Sequence, residues 1–178
     1  TAGMGSSKIL VAGDVNGQLD ACFARVTTVN RAHGPFSCLL CVGDFLGKPE
    51  DAVALLAPFK AGEREAPLPT YFLGPPGTLP SELLASADAG GAVAPRITCL
   101  GAAGIHVLSG LKVAFISGAQ REAEELPPNG VAELKRLSQL PGFLGVDLFL
   151  SNQWPRGFFR QLADGTLPID LLPDSDLP

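Results

Sequence analysis

Long apolar runs are missing from this 178-residue chain. None reaches the length of a bilayer-spanning helix, and the first residues lack the charged-then-apolar order of a secretory signal, so no membrane association is expected. Positive charge is also short. Thirteen Lys and Arg stand against 18 Asp and Glu, for a net charge of −5. Proteins that grip nucleic acid through phosphate neutralisation are usually basic, so strong non-specific binding by this chain alone is not expected; a local basic patch or a neighbouring domain is left open. Charged residues make up only 17% against 46% hydrophobic, which excludes a disordered or coiled-coil chain. There are four cysteines, Cys22, Cys38, Cys41 and Cys99, and all lie inside apolar stretches. The one close pair, Cys38 and Cys41, falls in an expected strand whose alternation sends the two side chains to opposite faces. Buried free thiols are therefore expected, not a zinc knuckle or a redox pair, and they fit a reducing, intracellular compartment.

What is present is punctuation. Twenty-one Gly and 16 Pro fall largely between apolar runs, which suggests about one domain of many short elements. The organising stretch is Lys8–Asp20, KILVAGDVNGQLD. Its β-formers break at Gly13-Asp14 into a polar turn, and Leu19, Cys22, Phe23, Val26 and Val29 then recur at helical spacing over Gly17–His33. A second apolar run, Ser37–Val42, ends in Gly43-Asp44. Pro49 starts a helix with Val53, Leu55, Leu56 and Phe59 on its buried side. A short strand follows at Thr70–Leu73, then a helix at 80–88 and a small-residue loop at Ala89–Pro95. Strands at Ile97–Leu100, Ile105–Leu108 and Leu111–Ile116 have short Gly-containing links that suggest hairpins. Gln120–Asn129 reads as a polar loop, with Glu122–Glu125 a solvated acidic run. Val131–Leu140 has helical period and Val146–Leu150 is a last strand. This order predicts a layered α/β sandwich with mixed sheets. Its strand-end loops carry Asp14, Asp44, Gly74, Gly118 and Asn152 to one rim.

Two Asp residues on neighbouring strand ends suggest oxygen ligands for a divalent metal; a two-metal phosphoesterase would add a ring of His and Asn. Asp14-Val15-Asn16-Gly17, Gly43-Asp44, the strand ending at Gly74 and Leu150-Ser151-Asn152-Gln153-Trp154-Pro155 resemble the series of blocks in calcineurin-type metallophosphoesterases. That resemblance implies an α-β-β-α sandwich. It also marks departures: Asn16 stands where the first His belongs, Pro75-Pro76 where Asn-His belong, and Asn152 where a late His belongs. His33 and His106 lie elsewhere in the pattern.

Six blocks in order (KILVAGDVNG, GPFSCLLCVGDF, YFLG, ITCLGAAGI, GLKVAFISG and GVDLFLSNQWPRG) closely resemble the N-terminal domain of the CWF-nineteen-like proteins, relatives of the ribonuclease associated with the lariat-debranching enzyme. This resemblance implies a nuclear, spliceosome-associated protein acting in pre-mRNA splicing and intron-lariat turnover, with the debranching enzyme and spliceosome components as partners. It implies that residues 8–163 form the metallophosphoesterase-like domain. Residues 1–7 read as an extension or cloning remnant, with Met4 the natural start, and residues 164–178 as an acidic, Pro-bearing tail or the start of a linker. The family's C-terminal HIT-like domains lie outside this chain.

The leading expectation is a pseudoenzyme: a binding module with no catalytic residues, no cofactor, and a vestigial rim of Asp14, Asn16, Asp44, Pro75, Pro76 and Asn152. The alternative is a phosphodiesterase or ribonuclease in which Asp14 and Asp44 hold Mg²⁺ or Mn²⁺ weakly, with Asn16 and Asn152 as amide oxygen donors. Asn before Gly17 equally suits a tight turn or a helix N-cap. Trp154 and Arg156 offer a stacking surface and a guanidinium to RNA or a partner, or else simple packing and a solvated charge.

Overall fold

A computed structural model of the chain describes residues 7–74, 80, 82–83, 90–117 and 128–152. β1 (Ile9–Ala12) runs into the polar turn, and α1 (Leu19–His33) begins two residues beyond Gly17, slightly later than the spacing predicts. Leu19, Phe23 and Val26 form the buried stripe of α1. At its C-terminal end the Asn30 carbonyl accepts from the Gly34 N–H, and the Asn30 side chain accepts from the Phe36 N–H at 2.8 Å. These bonds satisfy groups that the last turn would otherwise orphan.

β2 (Cys38–Cys41) is buried at every position, as befits a strand covered on both faces. Pro49–Asp51 form a 3₁₀ turn leading into α2 (Ala52–Lys60). Ala52, Leu56 and Phe59 are its buried residues, whereas Val53, expected inside, is exposed. β3 (Thr70–Phe72) is followed by a strand absent from the expectation, β4 (Gly91–Ala94), in the stretch read as a loop. Gly and Ala carry little β signal, but β4 pairs antiparallel with β5 (Ile97–Cys99) across Pro95-Arg96, with a bulge between Ala92 and Ala94. Arg96 takes φ +62° to close that turn.

A second expectation also fails. β5 does not form a hairpin with β6 (Ala103–Leu108); the chain crosses between sheets at Gly101-Ala102, and β6 pairs instead with β7 (Leu111–Ile116). α3 (Pro128–Ser138) starts earlier than the periodicity predicts because Pro suits the first helical position. β8 (Leu148–Ser151) closes the described chain, parallel to β7. The expected helix at 80–88 lies mostly outside the described residues; Glu82 and Leu83 are in a turn. Gly118 and most of the expected loop at 120–129 also lie outside them.

The strands make two mixed sheets, ordered β1-β2-β3-β5-β4 and β6-β7-β8. β1, β2, β3 and β5 run parallel, and β4 is the antiparallel edge. One core joins Leu39 and Cys41 of β2 to Leu19, Phe23, Leu56 and Phe59 of α1 and α2. The other joins Cys38 and Leu40 to Leu108, Val113, Phe115 and Leu150 across the two sheets. Val131 and Leu134 of α3 line a common groove with Ala114, Ile116 and Phe149 of the smaller sheet. The described elements therefore make a mixed α/β fold of two mixed sheets and three helices. No helix among the described residues is long and apolar enough to cross a membrane.

The cysteines follow the alternation argument. Cys38 and Cys41 enter different cores, and Cys38, Cys41 and Cys99 are buried free thiols, while Cys22 is half-buried. Burial pushes the Cys41 thiol from the ordinary 9.0 up to about 12, with repulsion from Cys22 adding to it. The folded state thus holds this proton more tightly than the unfolded chain does. Its contribution is intact below pH 9.0 and is lost as pH climbs toward about 12. Between about pH 9 and pH 11, the parent chain is expected to lose ~2 kcal/mol more stability than Cys41→Ala does. Urea unfolding at stepped pH measures the difference; parallel pH dependences would remove Cys41 as the cause.

Candidate functional site

The parallel register sets Ala12 beside Cys41, so the loops after β1 and β2 leave the sheet side by side. They are stitched together by backbone and carboxylate. The Asp44 N–H donates to Asp14 Oδ1 at 2.7 Å, and the Gly47 N–H donates to Asp44 Oδ1 at 2.8 Å. In return the Val15 and Asn16 N–H groups both donate to the Asp44 carbonyl, at 2.7 and 2.9 Å, and the Gly17 N–H donates to the Phe45 carbonyl at 3.1 Å. Each loop supplies acceptors for the other. Asp14 and Asp44 are both exposed on this edge, while Val15, Phe45 and Leu46 are buried beneath it.

Glycine makes the approach workable. A Cβ on Gly43 would lie 2.6 Å from the Asp14 nitrogen and 2.8 Å from the Gly13 carbonyl carbon, and would also strike Asp14 Oδ1. Asn16 and Gly17 take φ +51° and +76°, the left-handed conformations a tight reversal needs. Asn16 therefore belongs to a turn. The N-cap reading is overturned, because Gln18 occupies the N-cap of α1 and no side-chain bond caps it.

The other side of the rim comes from the smaller sheet. Ser117, fully buried after β7, donates its hydroxyl to the Gly101 carbonyl at 2.7 Å, and its N–H donates to the Ala102 carbonyl. This pins the carboxyl end of β7 against the carboxyl end of β5. Asn152 follows β8, which runs parallel to β7, and so shares that edge. Gly74 lies two residues beyond the end of β3, which runs parallel to β2. Pro75, Pro76, Trp154 and Arg156 lie outside the described residues.

Sequence reasoning singled out the aspartates but not Gly47 or Ser117. An Asp followed three residues later by Gly is a readable turn signal, and it marks the Asp44–Gly47 bond. Nothing in the sequence marks Ser117 as the link between sheets.

A two-metal centre needs several convergent donors around two ions. Among the described residues no three His, Cys, Asp or Glu side chains gather into such a group. His33 ends α1, with its carbonyl accepting from Lys8 Nζ at the opposite end of β1, and His106 packs edge-on against Phe115. Asp14 and Asp44 each already spend one oxygen on a backbone N–H. The described donors do not fit a two-metal centre.

The fold and rim thus define a mixed α/β protein with two mixed sheets and a strand-end edge clasped through paired aspartates. No family model matches the chain. It is 36% identical to CWF19-like protein 1 of Mus musculus over 156 residues, 84% of this chain and 28% of that protein. It is 33% identical to the CWF19-like protein 1 homolog of Drosophila melanogaster over 165 residues, 85% of this chain and 30% of that one. Zinc finger CCCH domain-containing protein 59 of Oryza sativa subsp. japonica is 36% identical over 179 residues, covering 92% of this chain and 29% of the relative. The chain is thus similar, over most of its own length, to proteins named CWF19-like protein 1 and to a zinc finger CCCH domain-containing protein, and it spans less than a third of the length of these curated relatives.

Proposed function

We propose that the chain is a catalytically degenerate, metallophosphoesterase-like interaction module of a nuclear, splicing-related protein acting in intron-lariat turnover. The observation that carries this reading is the clasp. Asp14 Oδ1 and Asp44 Oδ1 receive backbone N–H groups and brace the two loops, a structural task that needs no ion. The sequence also has Asn16, Pro76 and Asn152 where the resembling enzymes carry His, and Pro75 where they carry Asn. Proline side chains bind no metal, and without an imidazole the rim has no evident general acid for a leaving oxygen.

The names of the relatives support the splicing-related reading. The debranching enzyme and spliceosome components are the proposed partners, and protein contacts suit an acidic chain better than the backbone of RNA does. Trp154 and Arg156 are the residues to examine if RNA is bound at all.

Calorimetric titration with Mn²⁺ beside a cleavage assay on linear and branched RNA tests the proposal. The expected result is no saturable heat and no cleavage, with Asp44→Asn behaving as the parent chain. Tight Mn²⁺ binding together with cleavage that Asp44→Ala abolishes would replace the interaction module by a metal-dependent phosphodiesterase.

A further inference from the structure

The turn inside the clasp carries a reactive pair that its bracing role does not use. Asn16 is followed by Gly17, and its side chain is exposed. Asparagine is thermally labile because the peptide nitrogen of the next residue can attack its side-chain carbonyl carbon. A following glycine adds no side chain to hinder that attack and lets the backbone rotate into it. The Gly17 nitrogen would bond to Asn16 Cγ, the Cγ–Nδ2 bond would break, and ammonia would leave with the proton lost by the Gly17 nitrogen. Water then opens the succinimide ring, at Cγ to give aspartate or at the backbone carbonyl to give isoaspartate. Nothing is oxidised or reduced.

The loop after β2 holds this nucleophile back. The Gly17 N–H donates to the Phe45 carbonyl at 3.1 Å and the Asn16 N–H to the Asp44 carbonyl at 2.9 Å, so the backbone is tied on both sides of Asn16. Gly47 lies against the same peptide: a Cβ there would sit 3.0 Å from the Asn16 carbonyl carbon and 3.2 Å from the Gly17 nitrogen. A Cβ on Gly17 would in turn lie 3.0 Å from the Leu46 carbonyl oxygen. To reach Asn16 Cγ, the Gly17 nitrogen must rotate out of this seat, breaking its bond to Phe45 and leaving its contact with Gly47.

We propose that Asn16-Gly17 is a latent self-modification site, held unreacted by the clasp and converted to aspartate or isoaspartate when the loop after β2 lets go. Either product disfavours the closed clasp. Aspartate adds a third carboxylate to the edge that carries Asp14 and Asp44. Isoaspartate lengthens the main chain by one carbon between the two amides that donate to Asp44 and Phe45. The change is therefore one-way. The chain's other Asn-Gly pair, Asn129-Gly130, lies in the first turn of α3, outside the clasp.

Incubation of the full chain at mildly alkaline pH, followed by peptide mapping and labelling with isoaspartyl methyltransferase, measures the rate at Asn16. Synthetic peptide 8–20 has the same residues without the partner loop, and the full chain is expected to react at least about tenfold more slowly than it does. Gly43→Ala, which forces the loops apart, should raise the Asn16 rate about tenfold over the parent chain. Asn129 in the same samples distinguishes an opened clasp from an unfolded chain, since its rate should stay at the parent level. Equal rates at Asn16 in the peptide and the parent chain would overturn the proposal, whether or not the variant folds. So would a rise in Gly43→Ala that Asn129 shares equally, because global unfolding and not the clasp would then govern the reaction.

Discussion

Gly43→Ala is expected to destabilise the fold by about 3–5 kcal/mol, read as a fall in the urea midpoint at unchanged slope. The added methyl would sit 2.6 Å from the Asp14 nitrogen and 2.8 Å from the Gly13 carbonyl carbon. Both are backbone atoms in the middle of the clasp. They cannot yield without separating the loops, which would break the Asp44 N–H bond to Asp14 and the two bonds that the Asp44 carbonyl accepts. Two other glycines separate this close approach from backbone effects. Gly13 has nothing within 4 Å of an added Cβ and no positive φ, so Gly13→Ala is expected to change stability by less than about 0.5 kcal/mol. Gly62 also has open space but takes φ +74°, so Gly62→Ala should cost about 1 kcal/mol from the left-handed conformation alone. If Gly43→Ala costs no more than Gly62→Ala, the loops are less tightly stitched than the hydrogen bonds imply.

The first strand, its turn and its helix were legible in the sequence because two periodicities meet at Gly13-Asp14. β-formers precede the break, and Leu19, Phe23 and Val26 recur at helical spacing after it. The destinations of Cys38 and Cys41 were legible for a similar reason, since a strand leaves two residues three apart no choice but opposite faces. β4 was not legible. Gly91-Ala92-Val93-Ala94 has Val93 as its single branched side chain, too weak a pattern to announce a strand, and it is one because β5 offers an edge and α2 packs nearby. The supposed β5–β6 hairpin shows the same limit. A short glycine-bearing link is compatible with a turn or with a step between sheets, and here the link at Gly101-Ala102 steps, held by Ser117. In the candidate site the sequence identified Asp14 and Asp44 as strand-end neighbours but not what they bond. That depends on the β1–β2 register, which aligns Ala12 with Cys41 and so brings the Asp44 N–H onto Asp14.

Phe45→Ala carries the second large effect, and it connects the rim to the core. Phe45 is 2% exposed, stacks on Phe72 with ring centres 4.7 Å apart and planes 23° from parallel, and approaches Phe23 at 6.5 Å. It follows Asp44 directly, and its own carbonyl accepts the Gly17 N–H. Truncation removes a buried ring and its aromatic partner contacts, for an expected loss of about 3–5 kcal/mol. Phe45→Leu keeps most of the buried volume and should lose about 1–2 kcal/mol. Amide hydrogen exchange then separates a rim effect from a global one. Because the ring anchors the loop that supplies the Asp44 and Phe45 carbonyls, the Val15, Asn16, Gly17 and Gly47 amides should lose more protection than Leu39 or Leu100, whose N–H groups bond within the larger sheet. Equal loss of protection at all six would mean that the clasp holds without Phe45, and that the aspartates and Gly43 alone fix the shape of the strand-end edge.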